Sequence, residues 1–301
     1  MKSSLYLSLL AAAAILPGVT ACNQEKEPMP PVDKNGIHYI ASLKQLRTFA
    51  DGSTASWEYA ITYTEPDETG VRQFAEVLVT TDKEGTERTR HDHYVYDKGE
   101  VFVSGTFEDQ PDRPRSAKLK FNKNGTIKQM DLLADKTYTY HPYNYRHDGK
   151  LCQFGEGTFR GLEYRYDAMQ WTEENITQMT ISNADLNIYA EKITCTYSEY
   201  DNRYSIDPNS LLDNFIQHPF DKVMPVFPRM TCEKLLSSIQ GPRTTVDYDT
   251  MTSETAIGYE VDAAGRIARM TVSMKSAPKE GTGEDATARF TYTDVIEFTY
   301  L

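Results

Sequence analysis

The chain has 301 residues, 39% hydrophobic and 25% charged, a globular composition with apolar material enough for one large domain or two small ones. Its 44 acidic side chains outnumber 32 basic ones, for a formal charge of −12. No basic patch is visible, so the chain repels phosphate backbones and nucleic acid is not an expected partner.

The first 22 residues carry the clearest signal. Lys2 supplies a positive start, and Leu5 to Leu16 form an uncharged apolar run broken by Pro17 and Gly18. The run is about twelve residues, whereas a helix needs roughly 20 to cross a bilayer. Val19-Thr20-Ala21-Cys22 follows and is similar to the lipobox of bacterial lipoproteins. That resemblance implies cleavage before Cys22 and lipidation of its thiol and new amino terminus. Residues 1–21 are thus expected to be a signal peptide, and losing Lys2 would take the formal charge from −12 to −13.

Residues 22–36 read as the lipidated cysteine and a flexible tether. Pro28, Pro30 and Pro31 favour extended polyproline geometry, and almost nothing here is apolar. At about 3.1 Å per residue the segment reaches roughly 40 Å. Asn23 is not the aspartate that retains such proteins in the inner membrane. Glu25 and Glu27 resemble the surface-export signals of Bacteroidetes lipoproteins. The expected location is therefore the outer membrane, anchored by lipid, on its periplasmic or its outer face. No second apolar run approaches spanning length, so the lipid is the expected membrane contact.

Residues 37–301 are expected to form one mostly β domain. Ser42 is positioned to cap a short helix with Leu43, Leu46 and Phe49 on one face. From about residue 55 the pattern has period two. Ala117, Leu119 and Phe121 alternate with Lys118 and Lys120, and Ala288, Phe290 and Tyr292 alternate with polar residues. Twenty tyrosines and many threonines suit such half-wet pleated surfaces.

A recurring turn punctuates these runs, ending at Gly99, Gly125, Gly149 and Gly265. A glycine after polar turn-formers supplies the positive φ of a tight hairpin. Ile127 with Met130, Leu151 with Phe154, and Ile267 with Met270 follow three of the turns at one offset. Tyr164 to Asp167, returning through Ile176 to Met179, is a partial further copy. Steps of 26 and 24 residues between successive glycines predict hairpins repeated side by side.

Two further short helices are expected near the end. Asp207-Pro208 caps one with Leu211, Leu212, Phe215 and Ile216, stopped at His218-Pro219. Thr231 caps another with Leu235, Leu236 and Ile239, ended by Gly241-Pro242. The fold class is thus all-β, a mainly antiparallel, hairpin-repeat twisted sheet with two or three short helices.

Several of these segments occur in one known combination. It comprises Tyr259 to Ile267, the Tyr143 to Leu151 run, Leu211-Leu212, Leu235 to Ile239, and Phe290-Thr291-Tyr292. Together they resemble an uncharacterised domain family of Bacteroidetes cell-envelope lipoproteins, over roughly residues 90 to 301. The resemblance implies a largely β fold on an envelope tether and supplies no catalytic residues. The hairpin motif is also similar to the tyrosine-aspartate repeats of polymorphic toxins, whose arrays are longer and more regular.

Motifs for chemistry are sparse. Cys152, Cys195 and Cys232 lack CxxC spacing, and three thiols cannot all pair. They read as buried small hydrophobes, or as one disulfide with a spare thiol. His91 and His93 share a strand face and could hold a metal with His141 or His147, but no fixed third ligand accompanies them. Asp201, Asp207 and Asp213, and Asp247, Asp249 and Glu254, lack the loop pattern of a calcium site. Gly155 to Gly161 lacks the Lys-Ser/Thr ending of a phosphate loop. No cofactor or resident metal is expected.

Tyr138, Tyr140, Tyr143 and Tyr145 crowd into eight residues. Facing water, they would form an aromatic platform for sugars or peptides; facing inward, they would fill a core. The function expected is a non-catalytic binding or interaction module of the envelope, with a glycan or an envelope protein as partner. The alternatives are a structural spacer and, behind it, a polysaccharide hydrolase, which would need two facing carboxylates about 5–10 Å apart.

Overall fold

The computed structural model describes residues 37–301 except 69, 84, 113–114, 123–126, 135–136, 159–160, 184–187, 213–231, 245–249 and 279–290. Cys22 and its tether therefore lie outside the described residues. Sixteen strands run in chain order as β1 (Ile40–Phe49), β2 (Thr54–Tyr63), β3 (Phe74–Lys83) and β4 (Thr86–Asp97). There follow β5 (Glu100–Phe107), β6 (Arg115–Phe121), β7 (Ile127–Ala134) and β8 (Thr137–Tyr145). Next come β9 (Leu151–Thr158), β10 (Gly161–Thr172), β11 (Asn175–Asn183) and β12 (Ile188–Asp201). The last four are β13 (Lys234–Thr244), β14 (Thr250–Val261), β15 (Ile267–Pro278) and β16 (Tyr292–Tyr300).

Each strand pairs antiparallel with its chain neighbours, and β16 returns to β1 with Leu43 opposite Phe298 and Phe49 opposite Tyr292. The hairpin repeats thus lie in one sheet that closes on itself as a barrel. Alternation decides which side chains go inside. Leu43, Val77, Leu119, Leu132, Met179, Ile239, Met270 and Ile296 are buried in a shared core. The intervening positions carry Lys44, Glu58, Glu76, His93, Thr194 and Glu297 outward. A wall facing lipid needs an apolar band roughly 25 Å tall. The described outer wall has instead serines, threonines and ion pairs such as Lys44–Glu58 at 2.9 Å, which suit water.

The fixed offset after the turns has a structural cause. Ile127, Leu151 and Ile267 each open a strand opposite the last residue of the preceding one, and one extra residue follows. The extra residues are Lys128, Cys152 and Ala268, and Ala75 and Thr177 play the same part after Phe74 and Ile176. Each is a β-bulge, two residues facing one. It resets the alternation, so residues three apart both point inward. Ile40 with Leu43 and Leu236 with Ile239 repeat the pattern through bulges at Ala41 and Ser237. Gly99, Gly149 and Gly265 adopt the positive φ expected of them, while Gly125 lies outside the described residues.

An aromatic group from the neighbouring strand caps most of these bulges. Hydroxyls of Tyr63, Tyr197, Tyr259 and Tyr300 donate to the carbonyls of Ile40, Ile176, Leu236 and Ile267 at 2.6–2.8 Å. Trp171 Nε1 donates to Leu151 O at 2.9 Å, and Tyr96 bonds the Phe74 backbone. This ladder runs around one rim.

Residues 202–212, which follow β12, fold back over that rim. Tyr204, Ile206, Leu211 and Leu212 join the core, and Pro208–Leu211 forms one turn of 3-10 helix. Asp207 caps it, accepting from Asn209 N and Asn202 Nδ2 at 2.8 Å each. Asn209 spans to β13, donating to Lys234 O and accepting from Leu236 N. Tyr204 Oη accepts from Ile267 N at 3.1 Å, and His38 bridges Tyr204 in parallel.

The helix expectations need correction. The capped turn at Asp207-Pro208 is present but short, and Phe215 to Pro219 lie outside the described residues. Leu235, Leu236 and Ile239 belong to β13, where the Ser237 bulge imitates a helical spacing. Ser42 to Phe49 belong to β1, with Leu43 inward and Leu46 outward. Pairing on both sides overrides the weak local helix signal there.

Candidate functional site: an aromatic strip on the outer wall

The four crowded tyrosines of β8 divide between its faces. Tyr143 is buried against Phe154 with ring centroids 4.7 Å apart, and Tyr145 packs on the core from the same face. Tyr138 and Tyr140 stand outward, Tyr138 being 41% exposed. The four-tyrosine platform is thus corrected to two, because strand alternation sends odd-numbered residues inward.

Other side chains complete the outward surface. Strand register places Val95 beside Phe102, Phe102 beside Lys118, Lys118 beside Asp131 and Asp131 beside Tyr140. This row crosses five strands, about 19 Å at the usual strand spacing. In an adjoining row Ser104 and Ser116 lead to Leu133 and Tyr138. Val95, Phe102 and Leu133 are 58%, 37% and 41% exposed. Large apolar groups gathered on a wall otherwise made for water make this strip the candidate site.

Polar groups hold the strip in place. Lys118 Nζ lies 5.1 Å from the Phe102 ring centroid and 2.6 Å from Glu100. Asp131 accepts from Lys120 Nζ at 2.5 Å, from Gln129 and from Tyr138. Burial pushes the Asp131 carboxyl up, but these donors outweigh it and hold its pKa below the ordinary range. The Tyr138 hydroxyl is pushed up by burial and by Asp131. The result is a fixed apolar surface with donors and acceptors along its middle.

A recess of about 420 Å³ lies at the capped rim among His38, Tyr200, Asp201, Arg203 and Lys234. Its charges are already matched, with Asp201 bound by Lys234 at 2.5 Å and Arg203 at 3.2 Å. Lys234's hydrogen bond is the main cause of the lowered Asp201 pKa. Two carboxylates buried near the opposite rim are also engaged. Asp92 takes both prongs of Arg90 at 2.8 and 2.9 Å, and Asp294 those of Arg47 at 2.7 Å. Such clamped carboxylates are poor proton shuttles.

No family model and no curated protein matches this chain. A crystal structure does: a porin-like protein from Bacteroides uniformis, at a TM-score of 0.57 and 10% identity. The likeness covers 89% of this chain and all of that one. At that identity it shows a shared fold. A porin-like protein from Bacteroides vulgatus aligns over 88% of this chain and 99% of its own at 9% identity, with a TM-score of 0.34.

The remaining sequence candidates are scattered. His91 and His93 face outward beside Glu108 and Glu76, whereas His141 is buried and stacked on Phe154. Among the described residues no group of three or more His, Cys, Asp or Glu could hold a metal. Asp207 caps the 3-10 turn, and Asp213, Asp247 and Asp249 lie outside the described residues. Cys195 and Cys232 are buried and Cys152 half-buried, all three as free thiols. Sequence reading missed Phe102 and Leu133. Their signal was present, since Val101-Phe102-Val103 and Leu132-Leu133 break the alternation.

Proposed function

We propose that this chain is a non-catalytic binding module of the bacterial envelope, held to lipid through Cys22, whose barrel stands in water and binds a glycan on its outer wall. The observation carrying this reading is the strip from Val95 through Phe102 and Lys118 to Tyr140. Exposed rings stack on the C–H faces of sugars, while Lys118 and Asp131 offer hydrogen bonds to hydroxyls. Envelope anchoring rests on the Cys22 signal, with the Bacteroides porin-like fold neighbour as support.

The test uses a Cys22→Ser form lacking the signal, screened on neutral glycans and then measured by calorimetry. Phe102→Ala with Tyr140→Ala is expected to weaken the best glycan about tenfold or more, as loss of two ring contacts predicts. Equal binding by the variant, or no glycan retained, overturns the reading. Separately, the processed native chain should partition into detergent and the Cys22→Ser form lacking residues 1–21 should not.

A further inference from the structure

The recess at the capped rim holds polar groups that the fold itself does not use. Its volume of about 420 Å³ falls among those of small-molecule sites, roughly 300–1,000 Å³. The strands explain its place. Lys234, first in β13, lies opposite Asp201, last in β12, where the ladder skips from Tyr197 to Asp201. The chain then turns over the rim and brings Arg203 to His38, whose backbone N–H donates to Arg203 O at 2.8 Å. Gly265, in the turn between β14 and β15, completes the lining with a φ of +76°, and a Cβ there would meet nothing within 4 Å. That side of the recess is open.

Several hydrogen-bonding groups remain there. Arg203 lies against Asp201 through Nη2 at 3.2 Å, and its Nε and Nη1 make no hydrogen bond among the described residues. Lys234 uses two protons, on Asp201 at 2.5 Å and on Glu199 O at 3.0 Å, and keeps a third. The Glu199 carboxylate, the Tyr200 hydroxyl and both ring nitrogens of His38 likewise make no hydrogen bond among the described residues. The His38 ring rests on Tyr204 and Tyr300, with centroids 5.3 and 6.1 Å away. Burial, then Arg266 and Arg203, push the His38 pKa down against the pull of Asp262. The imidazole is therefore neutral at pH 7, one nitrogen donating and the other accepting.

The charges decide what such a recess takes. Arg203 and Lys234 stand with Asp201 and Glu199, two cations with two carboxylates, so an ion of either sign meets repulsion as well as attraction. A neutral ligand rich in hydroxyls meets no such opposition. We propose that the recess is a second ligand site, separate from the outer strip, that holds one neutral sugar residue. Each sugar hydroxyl donates and accepts at once, which suits a mixed set of groups. Arg203 and Lys234 donate to hydroxyl oxygens, while Glu199 and the bare nitrogen of His38 accept from hydroxyl hydrogens. Bonds to the charged members are the stronger ones. The Tyr200 and His38 rings add flat apolar faces for the sugar's C–H groups. The open side at Gly265 lets that residue belong to a longer chain.

The test uses the Cys22→Ser form lacking residues 1–21, with Phe102→Ala and Tyr140→Ala added so that the outer strip takes no part. It is titrated with a glucose trimer, an alanine dipeptide and inorganic sulfate. Nuclear magnetic resonance is expected to show the His38 ring signals moving with the glucose trimer, while those of His91 and His93 on the outer wall stay still. Calorimetry should give saturable binding that Arg203→Ala weakens about tenfold, the scale of one hydrogen bond from a charged group. Tyr200→Phe keeps the ring on Tyr259, 5.7 Å between centroids, and should weaken binding about threefold by losing one neutral hydrogen bond. Unmoved His38 signals, or equal binding by Arg203→Ala, overturn the site. Tighter binding of the dipeptide would assign the recess to a peptide, and tighter binding of sulfate to a free anion; either overturns the sugar. Because the strip is already removed, failure here and failure of the strip are read separately.

Discussion

The hydroxyl of Tyr259 in β14 donates a 2.6 Å hydrogen bond to the carbonyl of Leu236, beside the bulge of β13 at Ser237. A bulge leaves a carbonyl without its ladder partner, and a half-buried tyrosine satisfies it. Removing that hydroxyl leaves the acceptor stranded. Tyr259→Phe is expected to cost about 1–2 kcal/mol, read as a lower urea midpoint with unchanged slope. Tyr197→Phe and Tyr300→Phe should behave alike. Tyr63→Phe should cost at least as much, because the Tyr63 hydroxyl, donating to Ile40 O, also accepts from Ser205 Oγ at 2.8 Å and both bonds are lost.

Gly105 and Asp92 should be energetically coupled. Gly105 lies opposite Asp92, so the methyl of Gly105→Ala would collide with a carboxylate that Arg90 holds still, at an expected cost of about 1–3 kcal/mol. Asp92→Ala strands a buried guanidinium and should cost about 3–5 kcal/mol. The double variant removes the clash along with the carboxylate. Its cost should fall short of the sum by about 1 kcal/mol or more, measured in a double-mutant cycle.

Asn209 links the 3-10 turn to β13 through both ends of its amide, at 3.1 and 2.8 Å. Asn209→Ala leaves Lys234 O and Leu236 N without those partners. A loss of about 2–3 kcal/mol is expected, two buried hydrogen bonds. Hydrogen exchange should accelerate at Leu236 N while strands β4–β6 keep their protection. Uniform acceleration across the barrel would contradict a local role.

The thiols should separate by burial. In a Cys22→Ser form, Cys152 is expected to react with a soluble disulfide reagent in the folded state, whereas Cys195 and Cys232 should react on unfolding. Burial pushes the Cys232 thiol up to about 12, so raising the pH to 10 should not expose its thiolate. The protonated, buried Cys232 thiol favours the folded state. This contribution is full below the unfolded thiol value of about 8.5 and is lost as pH climbs toward the folded one.

Much of the sheet is legible in the sequence. Hairpins, the turn glycines Gly99, Gly149 and Gly265, and the paired apolar residues three apart appear where the chain places them. The closure of β16 on β1 did not, because pairing between residues 250 apart leaves no local trace. Spacing by three also misled. Leu236 and Ile239 fit a helix stripe and a bulged strand equally well, and only the β12 partner decides between them. At the strip, counting tyrosines singled out β8 but overlooked its neighbours. Phe102 shares a row with Tyr140 through register across β6 and β7, which no window of sequence contains.

Because β1 is zipped to β16, the barrel has no raw margin on which another chain could grow. Deleting Tyr292–Tyr300 would therefore do more than shorten the molecule. It would open the hoop, lay bare Ile40–Phe49 and Ile267–Pro278 as two long unzipped borders, and invite copies to knit together end over end. The last nine-residue strand is, in that sense, the clasp that holds the hoop shut.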